Sequence, residues 1–142
     1  MTQKKKPYTL LDHTSDLRIR ITGESQADLF QKAGLALADL ICDPNTLTPA
    51  EALTIEIEGD DPADLMVNYL RELLYQWTGN EKLIKMVYIL DLSDTALSAR
   101  IVTTRYAPRH HTILNEIKAV TYHQIEVIPT DSGWRATVVF DI

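Results

Sequence analysis

The sequence predicts an α+β fold in which two helices pack on a largely antiparallel or mixed β-sheet within a single compact domain. Three observations carry this. Two stretches place apolar residues at helical spacing behind capping residues, the remaining ordered stretches alternate apolar and polar residues, and turn residues mark hairpins in the second half. The length of 142 residues suits one domain.

The opening residues 1–7, with Lys4-Lys5-Lys6, read as a flexible basic tail, and the domain as residues 8–142. After Tyr8-Thr9-Leu10-Leu11 comes the polar stretch Asp12-His13-Thr14-Ser15-Asp16. Leu17, Ile19 and Ile21 then alternate with Arg18 and Arg20, a half-buried strand closed by Thr22-Gly23. Ser25 with Asp28 three residues on reads as a helix cap. Leu29, Ala33, Leu37 and Leu40 form the apolar stripe, widened by Phe30 and Ile41, and Cys42-Asp43-Pro44 ends the helix.

Leu53, Ile55 and Ile57 alternate with Thr54, Glu56 and Glu58 in a further strand. Asp61-Pro62 supplies a capping carboxylate and a proline at the first helical position. Leu65, Met66, Tyr69, Leu70, Leu73, Leu74 and Trp77 give the second helix, up to Gly79-Asn80. Residues 86–92 and 97–101 form a hairpin around Ser93-Asp94, and residues 103–112 read as a polar, basic loop. Residues 113–128 are strand-like with a bend or break near Tyr122-His123. Asp131-Ser132-Gly133 turns the chain into a final strand, residues 134–141. No internal repeat or flexible linker stands out.

Composition narrows the function. Hydrophobic residues make up 45% and charged residues 24%, the profile of a globular chain rather than a disordered one. The one cysteine, Cys42, rules out an intramolecular disulfide and Cys-rich zinc modules. No apolar run reaches the ~20 residues of a membrane span, and no signal peptide is recognisable, so a cytoplasmic protein with no membrane partner is expected. The net charge of -6 argues against coating nucleic acid through the overall field. With five glycines there is neither a P-loop nor a G-x-G-x-x-G turn.

Candidate chemistry concentrates in a few places. On the last strand, Trp134, Ala136, Val138 and Phe140 share the core parity, and Arg135, Thr137, Val139 and Asp141 the other. Asp141 and the oxygens of Ile142 therefore present hard ligands of the kind calcium and magnesium take, although a solvated terminal carboxylate is the commoner meaning of such an end. The stretch Asp12 to Asp16 is either a polar or metal site at a strand mouth, or a turn bonding its own backbone. Arg100, Arg105, Arg109, His110 and His111 with Tyr106, and Lys118 further on, form a basic strip that could touch single-stranded RNA or be an ordinary polar loop. Lys118 close to Tyr122 and His123 is more pointed. Zinc ligand spacings and a G-x-S-x-G elbow are missing.

Three stretches together carry a resemblance: Leu11-Asp12-His13-Thr14-Ser15-Asp16, Glu116-Ile117-Lys118-Ala119-Val120-Thr121-Tyr122-His123, and Val139-Phe140-Asp141-Ile142. They resemble the archease family over nearly the whole chain, the stretch Asp64-Leu65 to Leu74-Tyr75 also fitting its second helix, with Ser15 where alanine is more usual. The resemblance implies an accessory activator of an RtcB-type tRNA-splicing RNA ligase, promoting its guanylylation and turnover, with no enzymatic reaction of its own. It implies a divalent metal, calcium first, held by Asp12, Asp141 and Ile142. Lys118, His13 and His123 would then be functional or partner-binding positions. The ligase would be the partner, with tRNA reached through it; direct RNA contact and homo-oligomer formation stay open. A stand-alone metal-dependent hydrolase of phosphoesters, using Asp12, Asp141 and His13 or His123 to activate water, is the alternative. A chaperone-like binding protein is a further one.

Overall fold

The computed structural model describes residues 6–13 and 16–142, with Asp12 and His13 described by their backbone alone. The described elements are β1 (Thr9–His13), β2 (Asp16–Gly23), α1 (Gln26–Ile41), a 3-10 turn (Pro44–Thr46), β3 (Glu51–Glu58), α2 (Pro62–Thr78), β4 (Lys82–Leu92), β5 (Ala96–Arg105), β6 (Ala119–Thr130) and β7 (Gly133–Asp141). The strands form two wholly antiparallel sheets rather than one, in the orders β1-β2-β7-β6 and β3-β5-β4.

Both helices touch both sheets, and no extensive strand-to-strand packing joins the sheets, so the helices lie between them. That position explains their burial. Helix α1 buries Leu29, Phe30, Ala33, Gly34, Ala36, Leu37, Ala38, Leu40 and Ile41, far more than one stripe. Leu17, Ile19, Ile21, Val138 and Phe140 from the larger sheet and Val87, Ala99 and Ile101 from the smaller are buried in the same core. No described helix is long and apolar enough to cross a membrane.

The structure corrects the reading of a chain without repeats, because β2–α1 and β3–α2 are built alike. Leu17, Ile19, Ile21, Gly23, Asp28 and Leu29 are matched in order by Leu53, Ile55, Ile57, Gly59, Asp64 and Leu65. In each unit the N-cap side chain accepts from the residue at N3, Asp28 N–H to Ser25 Oγ at 3.1 Å and Asp64 N–H to Asp61 Oδ1 at 2.8 Å. The N3 carboxylate reaches back, accepting from Glu24 N–H at 2.9 Å and Asp60 N–H at 2.8 Å. This resembles a capping box, except that the N3 aspartate reaches the N–H of the residue before the N-cap rather than that of the N-cap itself. The two glycines let the strand end press on the helix start: a Cβ on Gly23 would lie 2.5 Å from Leu29 N, and one on Gly59 2.6 Å from Leu65 N. Ser25→Ala and Asp61→Ala are each expected to cost about 1 kcal/mol in urea denaturation. Being on separate helices, the two losses should add.

The expected strand over residues 113–128 begins only at Ala119. The preceding segment is claimed by α1, whose last carbonyls lack intrahelical partners. Leu114 N–H donates to Ile41 O and Asn115 Nδ2 to Leu40 O, both at 2.7 Å. A chain capping a helix this way cannot also sit in a ladder. The break near Tyr122-His123 is present as a large bulge: Thr121 pairs with Val139 and Glu126 with Thr137, leaving residues 122–125 outside the register. Gln124 there has φ 53°. Two smaller revisions concern the first and fifth strands. Thr9–His13 is a strand, not part of a polar turn, and β5 continues to Arg105.

Candidate functional site

Strand order brings the two ends of the chain to one edge of the larger sheet. β1 ends at His13, β2 begins at Asp16, β7 ends at Asp141 and β6 begins at Ala119. Asp16 stands directly opposite Asp141, and Asp141 opposite Ala119. Residues opposite each other in an antiparallel pair share a face, so the two carboxylates sit side by side on the face away from the helices. Like charges so placed are destabilising. Among the described residues neither carboxylate has an ion-pair partner.

Asp12 is one strand further across, its backbone opposite Arg18, whose partner on β7 is Val139. The Asp12 and His13 side chains, and Thr14 and Ser15 altogether, lie outside the described residues. Among the described residues no three His, Cys, Asp or Glu side chains gather as a metal group. The donors at this edge are therefore the paired Asp16 and Asp141, the oxygens of Ile142, and Asp12 by position. Oxygen ligands of this kind are those that hard divalent cations such as calcium take, and they differ from the Cys and His sets of structural zinc sites. Asp16 belongs to the polar stretch read from the sequence but not to the ligands that the resemblance implies; the β2–β7 register is what sets it against Asp141.

Lys118 adjoins this edge through its backbone, its N–H donating to Asp141 O at 2.8 Å. Its side chain lines a cleft of about 750 Å³ with Trp77, Tyr106, Ile113 and Glu116. His123 is exposed in the β6 bulge. Because β1 and β6 are opposite edges of the sheet, His13 and His123 are separated by two strands rather than brought together.

The bulge is anchored on α2. Tyr122 donates its hydroxyl to Asp64 Oδ1 at 2.7 Å, and the Arg71 guanidinium lies 4.6 Å from the Tyr122 ring centroid. Arg71 Nε also donates to Val120 O at 3.1 Å. The Tyr122 hydroxyl holds the Asp64 carboxyl below its usual range, and the same bond pushes the phenol up. Stabilisation from the depressed Asp64 is complete above the ordinary carboxylate pKa and is lost as pH falls through the folded value.

The basic strip divides: Tyr106 stays beside His111, with ring centroids 6.2 Å apart, and lines the Lys118 cleft, while Arg100 lies elsewhere. Arg100 stands opposite Tyr88 on the smaller sheet. Tyr106 packs edge-on to Trp77, with ring centroids 5.1 Å apart. His111 Nδ1 accepts from Ala107 N–H at 2.9 Å, a turn-stabilising bond.

The family model of the Archease protein family matches residues 8–142. Protein archease of Methanosarcina barkeri is 31% identical over 146 residues, covering 100% of both chains. Protein archease of Pyrococcus abyssi is 34% identical over 143 residues, covering 96% of this chain and 99% of the relative. The solution structure of Methanobacterium thermoautotrophicum protein 1598 superposes with a TM-score of 0.79 at 25% identity, covering 97% of this chain and 100% of the other. With the fold and these similarities in agreement, the chain belongs to the Archease protein family.

Proposed function

We propose that this protein is a cytoplasmic accessory activator of an RtcB-type tRNA-splicing RNA ligase, promoting the ligase's guanylylation and turnover rather than catalysing a reaction itself. Family membership supports the partner, and the observation that carries the site is the register placing Asp16 against Asp141 at the edge where β1 also ends. Asp12, Asp141 and Ile142 would hold the divalent cation, calcium first, with Asp16 beside them. A bound cation would supply positive charge for anionic oxygens of the ligase site or its nucleotide.

The chain's own part is to keep that edge rigid and presented. Phe140 and Leu17, opposite each other and fully buried, lock β7 to β2 just behind the carboxylates. Lys118, tied by its backbone to Asp141, offers a point charge for phosphate from the neighbouring cleft. His13 and His123, on the two outer strands, flank the sheet as partner-binding positions.

The test is ligase guanylylation with the parent protein, Asp12→Ala, Asp141→Ala and Lys118→Ala. Each aspartate variant is expected to lose at least ~10-fold of the stimulation, about 1.4 kcal/mol in the activated step. Undiminished stimulation by both would end the metal-edge mechanism. Turnover of phosphoesters by the isolated protein would favour a hydrolase instead.

A further inference from the structure

The outward face of the larger sheet carries a second feature, which adjoins the carboxylate edge where Arg18 stands opposite Asp12. It is a groove of about 490 Å³ lined by Leu11, Arg18, Arg20, Gln124, Ile125, Glu126, Arg135 and Thr137. Its shape follows from irregularities in both edge strands. β1 slips register between Leu10 and Asp12, and β6 bulges over residues 122–125. Bulges sharpen twist and bend a strand. Leu11 thus lines one side and Gln124 with Ile125 the other, around a floor of β2 and β7 side chains.

That floor is cationic although the chain as a whole is -6. Arg18 and Arg20 alternate with the buried Ile19 and Ile21 and share the open face. Glu126 Oε1 is taken by Arg135 at 3.2 Å, leaving Arg18 and Arg20 with no ion-pair partner among the described residues. Two residues apart on a strand, they place their Cα atoms ~6.6 Å apart, a step suited to successive phosphates of an extended single strand. Guanidinium groups match phosphate with paired hydrogen bonds. Thr137 and Gln124 add hydrogen-bonding groups of the kind that engage a ribose 2′-hydroxyl.

We propose that this groove binds single-stranded RNA, Arg18 and Arg20 gripping the phosphodiester backbone without reading its sequence. The inference is independent of the ligase reading, because the probe is RNA alone and the protein is taken without ligase.

The experiment is fluorescence anisotropy of a labelled 12-nucleotide RNA of mixed sequence, titrated with the full chain from 50 to 200 mM salt. Parent binding is expected to weaken with a log–log slope of about -1.4 to -2.1, as two or three phosphate contacts give in a single strand. Arg18→Ala with Arg20→Ala should weaken binding at least ~10-fold at 50 mM salt and bring the slope about 1.4 closer to zero. Arg18→Lys with Arg20→Lys should keep the slope, showing that folding is intact. Arg105→Ala with Arg109→Ala should change nothing. DNA of the same sequence should bind more weakly. No parent binding at 50 mM salt, an unchanged slope in the alanine variant, equal binding of DNA, or equal displacement by a glutamate peptide of matched charge would each overturn the proposal.

Discussion

Gly34→Ala is expected to destabilise the protein by about 2 kcal/mol, and adding Tyr69→Phe is expected to restore it to at least the parent's stability. The reason lies where α1 and α2 meet. A methyl group at Gly34 would overlap Tyr69 Oη, the end of a fully buried ring that also packs on Phe30 with centroids 5.8 Å apart. The ring has nowhere to retreat. Burial also holds the Tyr69 phenol far above its ordinary pKa, so it stays a neutral hydroxyl, and it has no hydrogen-bond partner among the described residues.

An unsatisfied buried hydroxyl costs ~1–3 kcal/mol, so Tyr69→Phe alone should stabilise by about 1 kcal/mol. In that background the nearest atoms to the new methyl are Leu73 Cδ1 at 3.1 Å and the ring Cζ at 3.2 Å, displacements of a few tenths of an ångström. Alanine also gains ~1 kcal/mol over glycine inside a helix. Urea denaturation of the four proteins closes the cycle, with a coupling of about 2 kcal/mol. Additivity within ~0.5 kcal/mol would refute the clash.

Calcium is expected to raise the melting temperature, and Asp141→Asn to abolish that rise. At a hundred times its Kd a ligand binding only the folded state adds about 2.7 kcal/mol, roughly 5–10 °C for a domain of this size. The calcium-free variant should meanwhile be slightly more stable than the parent, by ~0.2–1 kcal/mol, because neutralising Asp141 removes its repulsion with Asp16. That sign separates a ligand from a structural aspartate. A variant that melts lower without calcium, yet still responds to it, would show Asp141 supporting the fold rather than the ion.

The helices were legible because their signals are local. Ser25 and Asp61 are N-caps, and both helices run to the terminators read from Cys42 and Gly79. The edge site was legible in part. Alternation along the final strand put Asp141 away from the helices, but Asp16 could be set against it only by the pairing of β2 with β7, a long-range register. Val139 shares Asp141's parity and is nevertheless buried, 3% exposed, because it lies on an inner strand between Arg18 and Thr121. Residues 113–118 read as strand-like, yet the orphan carbonyls of α1 take the Leu114 and Asn115 donors. The repeat escaped because only a few positions match, the ones that build the strand, the tight turn and the cap.

In the proposed mechanism, acidic residues of the first and last strands share one divalent ion. A crystal structure of the protein soaked in calcium tests it most directly. The expected map has one ion at the β1–β2–β7 edge, with carboxylate oxygens of Asp12 and Asp141 about 2.3–2.6 Å away. Empty density there, with calcium bound elsewhere or not at all, would contradict it.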